Sequence, residues 1–107
     1  MSQDYKIVCV DDNEDVLSLY QEFLSNFHHE VIIFSKSDEA ADYIKENHRS
    51  IIFIFSDFQM PVLDGFQLRE KIVAFASMVP YAIVTGFYDK EMATRAMELN
   101  ICSFVEN

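Results

Sequence analysis

The chain has 107 residues, half of them hydrophobic, with only 2 Gly and 2 Pro. That length and apolar fraction suit a single domain over 1–107 and exclude a disordered, collagen-like or linker-dominated chain. With 18 acidic residues against 8 basic ones, the net charge of −10 repels phosphate backbones and argues against direct nucleic-acid binding. Five short apolar runs punctuate the chain: Tyr5 to Val10, Val31 to Phe34, Ile51 to Phe55, Tyr81 to Val84 and Ile101 to Val105. They are rich in Ile, Val, Phe and Tyr and mostly lack polar alternation, as in parallel strands covered on both faces.

The segments between the runs have helical spacing. The first carries Val16, Tyr20, Phe23 and Phe27 on one stripe, with Leu17 and Leu24 beside them. Asn13 is its predicted N-cap, Glu14 and Asp15 suit the positive end of its dipole, and His28 and His29 close it. The second opens at Ser37 and buries Ala40, Ala41 and Ile44. The third starts near Asp64 with Leu68, Ile72, Phe75 and Ala76 inward, and the fourth, from about Asp89 to Leu99, buries Ala93, Ala96 and Met97. The order β-α-β-α-β-α-β-α-β with right-handed crossovers gives an open, doubly wound parallel α/β sheet. Cys9 and Cys102 sit in apolar runs and read as buried free thiols. Met1 to Lys6 is polar and reads as no leader, and no apolar run reaches the ~20 residues that span a bilayer. A cytoplasmic protein without membrane contact is expected.

Open α/β sheets bind ligands beyond the carboxyl ends of their strands. There the first run leads into Asp11-Asp12, the third into Ser56-Asp57 and the fourth into Thr85-Gly86. Singly, each of these could merely begin a helix or a turn. Together they place three carboxylates and a hydroxyl at one end of the sheet, where mutual repulsion raises at least one pKa unless a cation intervenes. Mg²⁺, which takes hard oxygen ligands, is the cation such a set favours. Gly65 and Gly86 are the only glycines, so neither a dinucleotide fingerprint nor a P-loop can be written. An aspartate beside Mg²⁺ can itself attack a phosphoryl group.

The stretch Ser56-Asp57-Phe58-Gln59-Met60-Pro61-Val62-Leu63-Asp64-Gly65, with Val10-Asp11-Asp12 and Val84-Thr85-Gly86 at suitable spacings, resembles the receiver domain of a two-component response regulator from Lys6 to Asn107. The resemblance implies a flavodoxin-like five-stranded sheet of order 2-1-3-4-5. It implies that Asp57 accepts a phosphoryl group from a histidine kinase or phosphotransfer protein. Asp11, Asp12, Asp57 and the Gln59 backbone carbonyl would hold Mg²⁺. The Thr85 hydroxyl would turn toward the phosphoryl oxygens, Gly86 would leave room for phosphate, and Phe104 would be the aromatic switch. An output domain or downstream protein would read the change.

Two features depart from the family pattern. Three residues after Phe104, where the family keeps a Lys, stands Asn107, and no Lys or Arg follows Arg95. A neutral amide cannot supply the lost charge to phosphoryl oxygens. The family's fifth helix is also not in this sequence, so one sheet face is expected to expose apolar surface and to invite a homodimer. Two other readings stay open: a pseudo-receiver that acts as an interaction module without phosphate, and a Mg²⁺-dependent phosphatase with an aspartate nucleophile. Against the phosphatase stand the lack of a cap and of a D-x-D after the first strand.

Overall fold

A computed structural model describes residues 5–25, 29–86 and 89–106, with side chains to residue 102. Five strands run in parallel: β1 (Lys6–Val10), β2 (Glu30–Phe34), β3 (Ile51–Asp57), β4 (Tyr81–Thr85) and β5 (Ser103–Glu106). Their spatial order is β2-β1-β3-β4-β5, the predicted one. Four helices connect them: α1 (Glu14–Leu24), α2 (Ser37–Asn47), α3 (Gly65–Ala76) and α4 (Lys90–Glu98), with a short 3-10 turn at His48–Ser50.

Local chemistry sets the helix ends. The Asn13 side chain accepts from the Asp15 and Val16 amides, and Asp64 and Gln67 form a reciprocal capping box at the start of α3. At the far end of α4, Asn100 adopts φ 57°, a conformation Asn tolerates. The Asn100 amide then bonds the Met97 carbonyl and the Ile101 amide the Ala96 carbonyl, a Schellman closure.

The sheet separates two apolar clusters. On one face Val8, Val10, Ile54 and Ile83 pack with Ala40, Ile44, Phe66, Leu68 and Ile72. On the other, Ile7, Cys9 and Leu17 pack with Tyr20, Leu24 and Phe55. The β1–β3 register shifts between Lys6 and Ile7, which pair with Ile51 and Phe53. Ile52 is therefore a bulged residue. It packs with the α1 cluster while Ile51 joins the larger one.

Several expectations need correction. Leu17 is the buried residue of α1, whereas Phe23 is 74% exposed. The inward stripe centres on Leu17, Tyr20 and Leu24, so Phe23 falls at its rim. The helix ends at Leu24, before the two histidines; Phe27 and His28 lie outside the described residues. On α4 only Ala96 is fully buried and Met97 is 82% exposed, because α4 rests on the body along one narrow line. Cys102 is exposed rather than buried, its thiol donating to the Tyr81 carbonyl at 3.3 Å. Among the described residues no helix is long and apolar enough to cross a membrane.

Candidate functional site

Parallel pairing places the carboxyl ends of β1, β3 and β4 side by side. Val10 pairs with Ser56, and Asp57 with Val84, so Asp11, Asp57 and Thr85 follow at one rim. Asp11 is buried, its amide bonding the Phe34 carbonyl and its Oδ1 accepting from the Asn13 amide at 2.9 Å. Asp12 is exposed and Asp57 partly buried. Each of the three offers a carboxylate oxygen lying within 4.8 Å of the other two.

That crowding perturbs proton affinity. Burial pushes Asp57 up to about 6, the Asp11 charge adds to this, and the Phe58 and Gln59 amides oppose it. The Phe58 amide donates to Asp57 Oδ1 at 2.8 Å. Asp11 is raised as well, by burial first and by Asp12 in lesser part, against the Asn13 amide. The donor set is all oxygen, and its charges repel one another in a partly desolvated site. It fits a hard divalent cation such as Mg²⁺.

Thr85 ends β4 and is buried; with Gly86, Asp57, Phe58 and Gln59 it lines a cleft of about 340 Å³. A Cβ at Gly86 would meet nothing within 4 Å, and no glycine has positive φ, so the backbone does not demand glycine there. Phe104 lies in β5 opposite Ile83; its side chain and Asn107 lie outside the described residues.

Behind Asp57, the loop into α3 is strained. Val62 has φ 72°, and the Leu63 amide bonds the Pro61 carbonyl at 2.9 Å, a tight γ-turn that a β-branched residue adopts poorly. Buried Ser37, at the start of α2, holds it: its Oγ donates to the Pro61 carbonyl at 3.0 Å and accepts from the Leu63 amide at 3.1 Å. Val62→Asn should stabilise the domain by about 1 kcal/mol in urea unfolding, since the exposed valine forfeits little burial. Sequence reasoning missed Ser37 as a loop clamp, and it missed Arg69 as a buried cation. Only the inward helical phase of Arg69 between Gly65, Ile72 and Ala76 could have signalled it.

The model of the response regulator receiver domain family matches residues 7–106. The chain belongs to that family. As a receiver domain, it is 30% identical over 105 residues to the C4-dicarboxylate transport transcriptional regulatory protein DctD of Rhizobium meliloti, covering 98% of this chain and 22% of that protein. The chain spans about a fifth of the length of such curated relatives. Among solved structures it resembles a response regulator receiver domain protein of Clostridium thermocellum, with TM-score 0.87 and 27% identity over 96% of this chain and 82% of that one. It also shares its fold with the CheX–CheY–BeF₃–Mg²⁺ complex of Borrelia burgdorferi, with TM-score 0.81 and 20% identity over 96% and 78% of the two chains. Receiver domains serve two-component phosphorelay signalling and bind Mg²⁺ through acidic residues, and this one carries such a cluster in Asp11, Asp12 and Asp57.

Proposed function

We propose that this receiver domain accepts a phosphoryl group on Asp57 from a histidine kinase or phosphotransfer protein and relays the change to an output domain or a downstream protein. The observation that carries this reading is the placement of Asp57, with Asp11 and Asp12 within 4.8 Å and Thr85 on the same cleft. An Asp57 carboxylate oxygen attacks the phosphorus; the P–N bond of the donor phosphohistidine breaks, and its electron pair stays with the imidazole nitrogen, which takes a proton from solvent. The product is an acyl phosphate. Asp11, Asp12, Asp57 and the Gln59 carbonyl would hold Mg²⁺, which when bound supplies the positive charge that phosphoryl oxygens need.

Thr85 then donates its hydroxyl to a phosphoryl oxygen, and Gly86 leaves the entry open. Asn107 supplies no positive charge, so transfer is slower than a lysine at that position would allow.

Incubation with a small phosphodonor and Mg²⁺, followed by intact mass, tests the reading. The wild type should gain one phosphoryl mass, and Asp57→Asn should gain none. No gain in the wild type would replace this reading with that of an interaction module acting without phosphate.

A further inference from the structure

Arg69 projects from α3 into the core with 0% exposure, and no carboxylate meets it among its bonding partners. Its partners are backbone carbonyls at the ends of two helices. Nε donates to the Leu99 carbonyl at 2.9 Å. Nη1 donates to Ala76 and Val79 at 3.4 and 3.2 Å, and Nη2 to Ser77 and Asn100, both at 3.1 Å. Five bonds match the five N–H donors of a guanidinium. Ala76 and Ser77 close α3, and Leu99 and Asn100 close α4, so one cation stands at the negative ends of two helix dipoles. Beneath it lies the Tyr81 ring, 5.2 Å from the guanidinium carbon.

The amino end of α4 is held by the Asp89 cap on the Met92 amide at 2.9 Å and by Met92 against the larger cluster, and its carboxyl end is held by more. That carboxyl end is tied by buried charge-assisted bonds and by the Schellman closure at Asn100. Along its length the Arg95–Glu70 pair at 3.0 Å is exposed on both sides, and exposed pairs hold little. Arg95 also lies over the Phe66 ring at 4.9 Å. The amino end follows Thr85 and Gly86 by a few residues, so any pull on Thr85 reaches that end first.

Tyr81 also connects the clamp to the acceptor. Its hydroxyl donates to the Gly65 carbonyl at 2.6 Å; the Gly65 amide bonds the Phe58 carbonyl at 2.7 Å, and the Phe58 amide bonds Asp57 Oδ1 at 2.8 Å. We propose that Arg69, seated on Tyr81, fixes the carboxyl end of α4 as a pivot, so that a change at Asp57 swings the amino end of the helix while residues 99–102 stay still. This rests on Asp57 being the phosphoryl acceptor.

Amide hydrogen exchange tests it in two arms. In the metal-free chain, Arg69→Met should speed exchange of the Leu99, Asn100, Ile101 and Cys102 amides roughly tenfold or more, with smaller change at Met92 and Ala93. With Mg²⁺ and beryllofluoride, the wild type should change at 92–95 but not at 99–102, and Arg69→Met should change at both. Unaltered exchange at 99–102 in the variant, or equal response at both ends of α4 in the wild type, overturns the pivot. Should Arg69→Met not fold, Arg69→Lys is read by the same criteria, since an ammonium keeps the charge but cannot span five carbonyls. A wild type whose Phe58 and Gln59 amides ignore beryllofluoride overturns the acceptor reading and the pivot with it, while the metal-free arm still decides whether Arg69 clamps the end.

Discussion

Gly65→Ala should cost the domain about 2–4 kcal/mol in urea unfolding, an effect far larger than its single methyl implies. A Cβ at Gly65 would lie 2.6 Å from the Asp57 carbonyl oxygen and 3.3 Å from Phe58 Cα. Both neighbours are backbone, so neither can swing aside as a side chain would. Relief requires α3 to back away from β3, which stretches the 2.7 Å bond from the Gly65 amide to the Phe58 carbonyl and the 2.6 Å bond from Tyr81. The contact being relieved lies at Asp57 itself, so phosphoryl uptake should fall together with stability. Gly86→Ala is the matched control. With nothing within 4 Å of the added carbon and an ordinary φ, it should leave stability unchanged or slightly raised while slowing phosphoryl entry. A loss below about 1 kcal/mol at Gly65 would mean that the β3–α3 junction is softer than its geometry indicates.

The second large effect is electrostatic. Asp57 is held up at about 6 chiefly by burial, above its unfolded value, so between those two values the folded chain binds more protons than the unfolded one. Metal-free stability must then fall as pH rises from about 4 to about 6 and level off above that. Discounted for solvent screening of a partly exposed carboxyl, the fall is about 1–2 kcal/mol. Asp57→Asn should flatten this limb, leaving the smaller contribution of Asp11. Mg²⁺ at ten times its dissociation constant should add about 1.4 kcal/mol at pH 7, seen as a rise of several degrees in Tm. The increment should shrink toward pH 5 as Asp57 takes up its proton, and Asp12→Ala should abolish it. An unchanged Tm across millimolar Mg²⁺ at pH 7 would contradict the cation site.

Much of this was legible in the residues. Each of the five apolar runs overlaps one strand, and the polar residues after the first, third and fourth are the ones the sheet gathers, because parallel pairing brings all carboxyl ends to one rim. Strand ends were less legible: β3 runs on to Asp57, since backbone pairing continues past the last apolar side chain, and β5 starts only at Ser103, since the Ile101 amide is spent on closing α4. Helical phase also failed at rims, where Phe23 and Met97 kept the right spacing but stay exposed among the described residues. Arg69 was opaque for the opposite reason. A cation inside an amphipathic helix reads as solvated, and its burial depends on carbonyls from Leu99 and Asn100 that only tertiary structure brings near.

The bulge at Ile52 separates the two jobs of β3. Alternation along a strand would otherwise bind its first residue and its last into one phase, so that whatever face suited Ile51 would dictate the side on which Asp57 emerged. With one unpaired residue between them, the foot of the strand can answer to the packing of α2 and α3 while the tip answers to Asp11. The strand is thus two phases joined end to end, and a change of length at the foot can be absorbed there without turning the acceptor away from its partners.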